Sequence, residues 1–170
     1  MSHRTVAEEA EFRTWMRFIA AHGAITRELE AQLHGAHGLT LSDYDVLVQL
    51  SRAEARRMRN IELANAVALT RSGVTRLVDG LERDGLVTRI SCPSDKRGTL
   101  IMLTDEGMRR LREAADTHLE GVRELFLEKM GKEGRQALDK VLGKLPGGAD
   151  CDLELRACMA DVGKTKAAAG

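Results

Sequence analysis

Arg71, Ser72, Thr75 and Arg76 all carry side chains that donate hydrogen bonds, and helical spacing brings them onto one surface. In "TRSGVTRLVDGLERDG", residues 70–85, Val74, Leu77, Val78 and Leu81 form a single apolar stripe at the helical period. Turning that stripe toward a core leaves Arg71, Ser72, Thr75, Arg76 and Asp79 facing outward. The first turn and a half of this face therefore holds two guanidinium groups and two hydroxyls, with nothing bulky or apolar among them. Such groups donate to phosphate oxygens and to guanine edges, and a helix that presents them at its N-terminal end fits the major groove of duplex DNA. A solvated helix face is the competing reading, and charged faces are usually solvated.

The next segment weighs against that reading. "SCPSDKRGTL", residues 91–100, places Lys96 and Arg97 at the tip of a hairpin, and the apolar runs "LVTRI" and "LIMLT" flank it. Asp95 is adjacent to Lys96 and two residues from Arg97, close enough to orient a guanidinium through a charge-assisted hydrogen bond. A cationic finger beside a major-groove helix suits the neighbouring minor groove, where narrow A·T stretches concentrate negative potential. The hairpin is thus expected to be a wing. Cys92 lies in it close to two cations, which can lower a thiol pKa. An inert packing cysteine is the preferred reading, with thiol-based redox sensing as its alternative.

The elements around these residues must position them. Phe12, Trp15, Met16, Ile19, Ile25, Leu29 and Leu33 predict a helix over 8–34, ended by "HGAHGLT". Ser42 is expected to cap the next helix, with Asp45 three residues on. "IELANAVAL" is a short helix, preceded by Arg59 and Asn60, and Thr70 is the N-cap of the helix already described. Asp84-Gly85 stops that helix, Gly85 taking the left-handed C′ conformation. Strands are expected at about 86–91 and 98–104. Thr104 caps a long helix that reaches about residue 130, and "GKEG" separates it from a last helix ended by "KLPGG". The expected fold is mainly α: a winged helix-turn-helix lobe over 41–104 with a two-stranded β-wing. Helices over 8–34 and 105–145 are expected to flank it, and 146–170 is expected to be a partly disordered tail. The first helix and the long helix carry more apolar length than one lobe can cover, which predicts a homodimer.

Composition narrows the choice of partner. The 170 residues carry 26 cations and 26 anions. Residues 51–97 nevertheless have a net charge of +4, between flanks of −3 and −1. A basic middle points to a polyanion. Aromatics are only 3%, too few for the stacking platforms of single-strand or RNA readers. No apolar run is long enough to span a bilayer, and the first residues lack the apolar segment of a secretory leader, so a cytoplasmic protein is expected. Cys92, Cys151 and Cys158 do not make a disulfide scaffold, and His34 and His37 lack the further ligands of a zinc site. No metal and no cofactor is expected.

"IELANAVALTRSGVTRLVDGLERDGLVTRISCPSDKRGTLIMLTDEG", residues 61–107, resembles the winged helix-turn-helix core of the MarR family of bacterial regulators. Four blocks carry the likeness in order: the Leu-Ala pair, "TRSGVTRLVDGLERDGLV", the Asp-x-Arg wing and the "LTDEG" exit. It extends over about residues 10–145. The resemblance implies an obligate homodimer, with helices 8–34 and 105–145 as its dimerisation lobe, that acts as a repressor on double-stranded DNA with a palindromic operator. It implies a base-facing set of Arg71, Ser72, Thr75 and Arg76, with Thr70 beside them. It also implies Arg59 and Asn60 near phosphate, Arg97 in the minor groove beside Lys96, and Asp95 orienting Arg97. Gly73 replaces a more usual Ser or Thr. Members commonly respond to small aromatic (phenolic) or carboxylate effectors, or to thiol oxidation. Trp15, His22 and Tyr44 are candidates for lining an effector crevice between the lobes, although Trp15 and Tyr44 sit at core spacing and core packing is preferred for them. The family's thiol sensors usually carry the reactive cysteine in the first helix, where this chain has none.

Two other classes compete. The chain lacks G-x-S-x-G, H-E-x-x-H, Walker A and G-x-G-x-x-G patterns, so an enzyme is not expected. A winged helix that serves as a protein-interaction module without DNA binding would not need the cationic wing or the polar helix face.

Overall fold

A 32-residue helix, α1 (Val6–His37), precedes the shorter helices and packs along a second long helix near the other end of the chain. The computed structural model describes residues 6–147 except 68, 93 and 94, with the side chains of residues 6–11, 92 and 95–98 outside the description. Cys151 and Cys158, and the expected tail from residue 148 onward, lie outside the described residues. After α1 come α2 (Leu41–Arg52), a 3₁₀ turn (Glu54–Arg56), β1 (Arg57–Arg59), α3 (Asn60–Ala66) and α4 (Arg71–Arg83). The wing strands β2 (Val87–Cys92) and β3 (Asp95–Leu103) follow, then α5 (Asp105–Val122), a π turn (Arg123–Leu127) and α6 (Glu128–Leu142).

The boundaries of α1, α2 and the long helix differ from the sequence expectation, and β3 begins at Asp95 rather than at about residue 98. Helix α1 continues past residue 34 to His37. Gly35 costs about 1 kcal/mol of helix propensity, but the last turn is anchored from α5. His37 Nε2 lies 2.8 Å from Thr117 Oγ1, and Arg110 donates to the His37 carbonyl at 2.5 Å. The cap of α2 is Thr40, not Ser42. "TLSDYD" contains the spacing twice, and the structure uses Thr40 with Asp43 in a reciprocal box, each side chain accepting from the other's backbone N–H at 3.0 Å. Leu39 before the cap and Tyr44 at the fourth helical position are both buried, the two positions of a hydrophobic staple. The long helix gives way to the π turn at Arg123, and the backbone breaks again at Gly131 (φ 60°), within the expected "GKEG" interruption.

The sheet has three strands rather than two, in the order β1-β3-β2, all antiparallel. Arg57, Met58 and Arg59 pair with Met102, Ile101 and Leu100. Three residues are too few to show an alternating pattern. Pairing to β3 makes them a strand.

The core lies where α2, α3, α4 and the sheet meet α5. Leu33, Val46, Leu47, Leu50, Leu63, Val74, Val78 and Ile101 are essentially inaccessible to solvent. Fully burying such a side chain contributes about 1.5–3 kcal/mol, so the α4 stripe is what fixes the outward direction of its polar face. At the exit of the wing, Thr104 caps α5, accepting from the Gly107 N–H at 2.9 Å and donating to the Gly85 carbonyl at 2.8 Å. Gly107 is obligatory there. A Cβ at that position would stand 2.0 Å from the Leu86 carbonyl oxygen.

Candidate nucleic-acid interface

Helix α4 turns Val74, Val78 and Leu81 into the core and leaves Arg71, Ser72, Thr75 and Arg76 exposed, as their spacing predicts. Thr70 caps it, its Oγ1 accepting from the Gly73 N–H at 3.1 Å and lying 3.2 Å from Ser72 Oγ. A Cβ on Gly73 would approach Thr70 Oγ1 to 3.2 Å, so the glycine leaves the cap room. Thr75 donates to the Arg71 carbonyl at 2.9 Å and accepts from Asn60 Nδ2 at 3.3 Å. Asn60, the first residue of α3, thus supports the outward face of α4 from below. Among the described residues, the guanidinium groups of Arg71 and Arg76 have no hydrogen-bonding or ion-pairing partner.

The acids of the same helix are engaged differently. Asp79 and Glu82 both bind Arg89 of β2: Asp79 Oδ1 accepts from one terminal nitrogen at 2.6 Å and Glu82 Oε2 from the other. Glu82 Oε1 also accepts from the Arg89 backbone N–H at 2.9 Å. Burial pulls the Arg89 guanidinium down, but its hydrogen bonds with Asp79 and Glu82 outweigh burial and hold it above its ordinary range. The face α4 presents is therefore cationic, with its carboxylates neutralised from the strand. The sequence reading did not single out Arg89. The signal was present in acids three apart on a helix and an arginine alternating with Val87 on the following strand.

Asp95, Lys96 and Arg97 lie on β3 at the turn of the wing. The ladder pairs Ser91 with Thr99 and then shifts, so that Cys92 pairs with Asp95 and residues 96–98 stand out of it. The side chains of Cys92, Asp95, Lys96 and Arg97 lie outside the description. Arg59, half-buried at the end of β1, accommodates Glu62, whose Oε2 accepts from the Arg59 N–H at 2.9 Å.

The three effector candidates separate. Tyr44 is buried, its ring 4.7 Å from that of His118 across the α2–α5 junction. Burial pushes the His118 imidazole below its ordinary range, and among the described residues its buried Nδ1 has no hydrogen-bond partner. Trp15 is 56% exposed, so core packing does not hold for it within one chain. It packs on Phe18, which in turn meets His22, and both Trp15 and His22 lie on the exposed part of α1. Among the described residues no three His, Cys, Asp or Glu side chains come together as metal ligands, and no helix is long and apolar enough to cross a membrane.

The sequence pattern of the MarR family matches residues 39–99, from the staple before α2 into β3. YetL, an HTH-type transcriptional repressor of Bacillus subtilis, is 34% identical over 108 residues, 64% of this chain and 64% of that relative. The chain thus spans slightly less than two thirds of YetL's length. The structure of AbsC, a MarR family transcriptional regulator from Streptomyces coelicolor, matches with a TM-score of 0.73 at 34% identity, over 84% of this chain and 93% of AbsC. Sco3205, a MarR family regulator of the same organism solved in complex with DNA, matches with a TM-score of 0.74 at 34% identity, over 83% of this chain and 87% of Sco3205.

Proposed function

Because the chain belongs to the MarR family of transcriptional regulators, we propose that it is a cytoplasmic, sequence-specific repressor that binds an inverted-repeat operator in duplex DNA as a homodimer. In this reading the lobe of residues 41–104 reads DNA and the helices 8–34 and 105–145 dimerise. Helix α4 enters the major groove, Arg71, Ser72, Thr75 and Arg76 facing base edges and Thr70 beside them. Arg59 and Asn60 lie toward phosphate, and Lys96 and Arg97 reach the adjacent minor groove with Asp95 orienting Arg97. The observation that carries the reading is the α4 face: two guanidinium groups without a partner among the described residues and two short hydroxyls, on a helix whose only acids are neutralised by Arg89. A solvated structural helix has no need of that segregation.

Dimerisation is supported by what α1 leaves uncovered. Phe12, Trp15, Met16, Phe18 and Ile19 are 44–62% exposed, and Leu119 of α5 and Val141 of α6 add to the surface without a cover in the single chain. An apolar surface of this extent is a partner surface. Trp15 and His22 belong to that face, which favours assembly over effector binding as their role. Release by a small aromatic or carboxylate effector completes the proposal, with Tyr44 placed to sense it, since it joins α5 of the dimerisation helices to α2 of the reading lobe.

Fluorescence anisotropy with labelled random duplex, over a salt series, tests the core of this reading. Binding should weaken steeply as salt rises, because each phosphate neutralised releases condensed counterions. Absence of binding to any duplex at low salt would overturn it.

A further inference from the structure

We infer that Arg89, held by Asp79 and Glu82, is a latch that fixes the wing relative to helix α4, and that these three are positioning residues rather than DNA contacts. The inference deepens the regulator reading above and rests on it. Arg89 follows Val87 on the same face of β2; Val87 is buried in the core, and Arg89 lies where the strand runs past the polar flank of α4. Three hydrogen bonds join this one strand residue to two helix residues a single turn apart: guanidinium to Asp79, guanidinium to Glu82, and backbone N–H to Glu82. Among the described residues no other side-chain hydrogen bond ties α4 to the hairpin. Two contacts to one guanidinium plus one to its own backbone constrain both the height of the strand and its rotation, which a single ion pair cannot do.

The consequence concerns two grooves at once. A helix in the major groove and a wing tip in the neighbouring minor groove reinforce each other only if their offset is set before binding. When it is, the second contact forms at high effective concentration; when the wing hinges freely, that gain is lost. The three side chains are 30–52% exposed, so their pairing contributes little to folding stability. Its effect belongs in binding.

The charge arithmetic makes the test sharp. Asp79→Asn with Glu82→Gln removes two negative charges from a surface facing phosphate, and simple electrostatics would have that variant bind operator more tightly. The latch requires the opposite, a loss of roughly tenfold, as coupled contacts of this kind give. Arg89→Gln should lose about as much, with its salt slope unchanged, and the triple variant should be no worse than Arg89→Gln alone. Tighter binding by the double-acid variant, or a salt slope reduced by about one in Arg89→Gln, would make Arg89 a phosphate contact and overturn the proposal. Amide hydrogen exchange of the full chain without DNA supplies an independent arm. Wing amides should exchange faster in Arg89→Gln at an unchanged thermal midpoint, and unchanged wing exchange would overturn the latch. A wild-type chain that binds no duplex would sink the regulator reading, while the exchange arm still decides the latch.

Discussion

Thr75 and Arg76 differ from Arg97 in the kind of contact assigned to them, and substitutions should separate the two. Base-edge contacts specify sequence, whereas groove and phosphate contacts position the protein. Arg76→Ala or Thr75→Ala should cost about 1–3 kcal/mol on the operator and leave random-duplex binding nearly intact. Arg97→Ala should weaken both, lower the salt slope by about one, and reduce the preference for flanking A·T pairs. Asp95→Ala should copy Arg97→Ala in part, although it removes a negative charge; tighter operator binding in that variant would show that Asp95 does not orient Arg97. A titration makes a further residue-scale prediction. The folded-state pKa of His118 lies below the ordinary imidazole value because burial opposes its charged form. The unfolded chain therefore takes up the proton first as pH falls. The stability His118 contributes is present above its unfolded pKa and lost as pH drops through the depressed folded value. Urea midpoints at about pH 7.5 and about pH 5.5 should differ more in the wild type than in His118→Phe, which keeps a ring against Tyr44. Equal differences would remove His118 as the origin.

At the scale of elements, the exit from the wing is tightly constrained. Thr104 and Gly107 lock the start of α5 to the turn after α4. Gly107→Ala forces a methyl group into the Leu86 carbonyl and should destabilise by about 3 kcal/mol, as overpacking of a rigid site does. Thr104→Ala should cost about 1 kcal/mol through the lost cap, and urea unfolding of both variants checks the order. The Thr104 cap, the α4 stripe and the strand-turn-strand of the wing were legible in the sequence because each rests on short-range chemistry: a cap, a period of 3.6, turn residues between apolar runs. What was not legible depends on contacts distant in sequence. Strand β1 exists only through pairing with Leu100, Ile101 and Met102. The last turn of α1 survives Gly35 because Arg110 and Thr117 hold His37. Of the site, the exposed face of α4 could be read from periodicity, while the Arg89 bridge and the Asn60–Thr75 support could not, since both link separate elements.

For the whole molecule, the apolar face of α1 and the uncovered residues of α5 and α6 predict assembly. Sedimentation at micromolar concentration should give twice the 18.7 kDa of one chain; a stable monomer would leave Phe12, Trp15 and Met16 unexplained. A two-fold dimer places two copies of α4 on one side of the duplex, so its half-sites must be inverted and about one helical turn apart. The most direct measurement of this account is selection from a random duplex library with the full chain at stated salt. It should enrich an inverted repeat with half-site centres about 10 bp apart, flanked by A·T pairs where the wings reach. Enrichment of a direct repeat or a single half-site, or no enrichment at all, would contradict it.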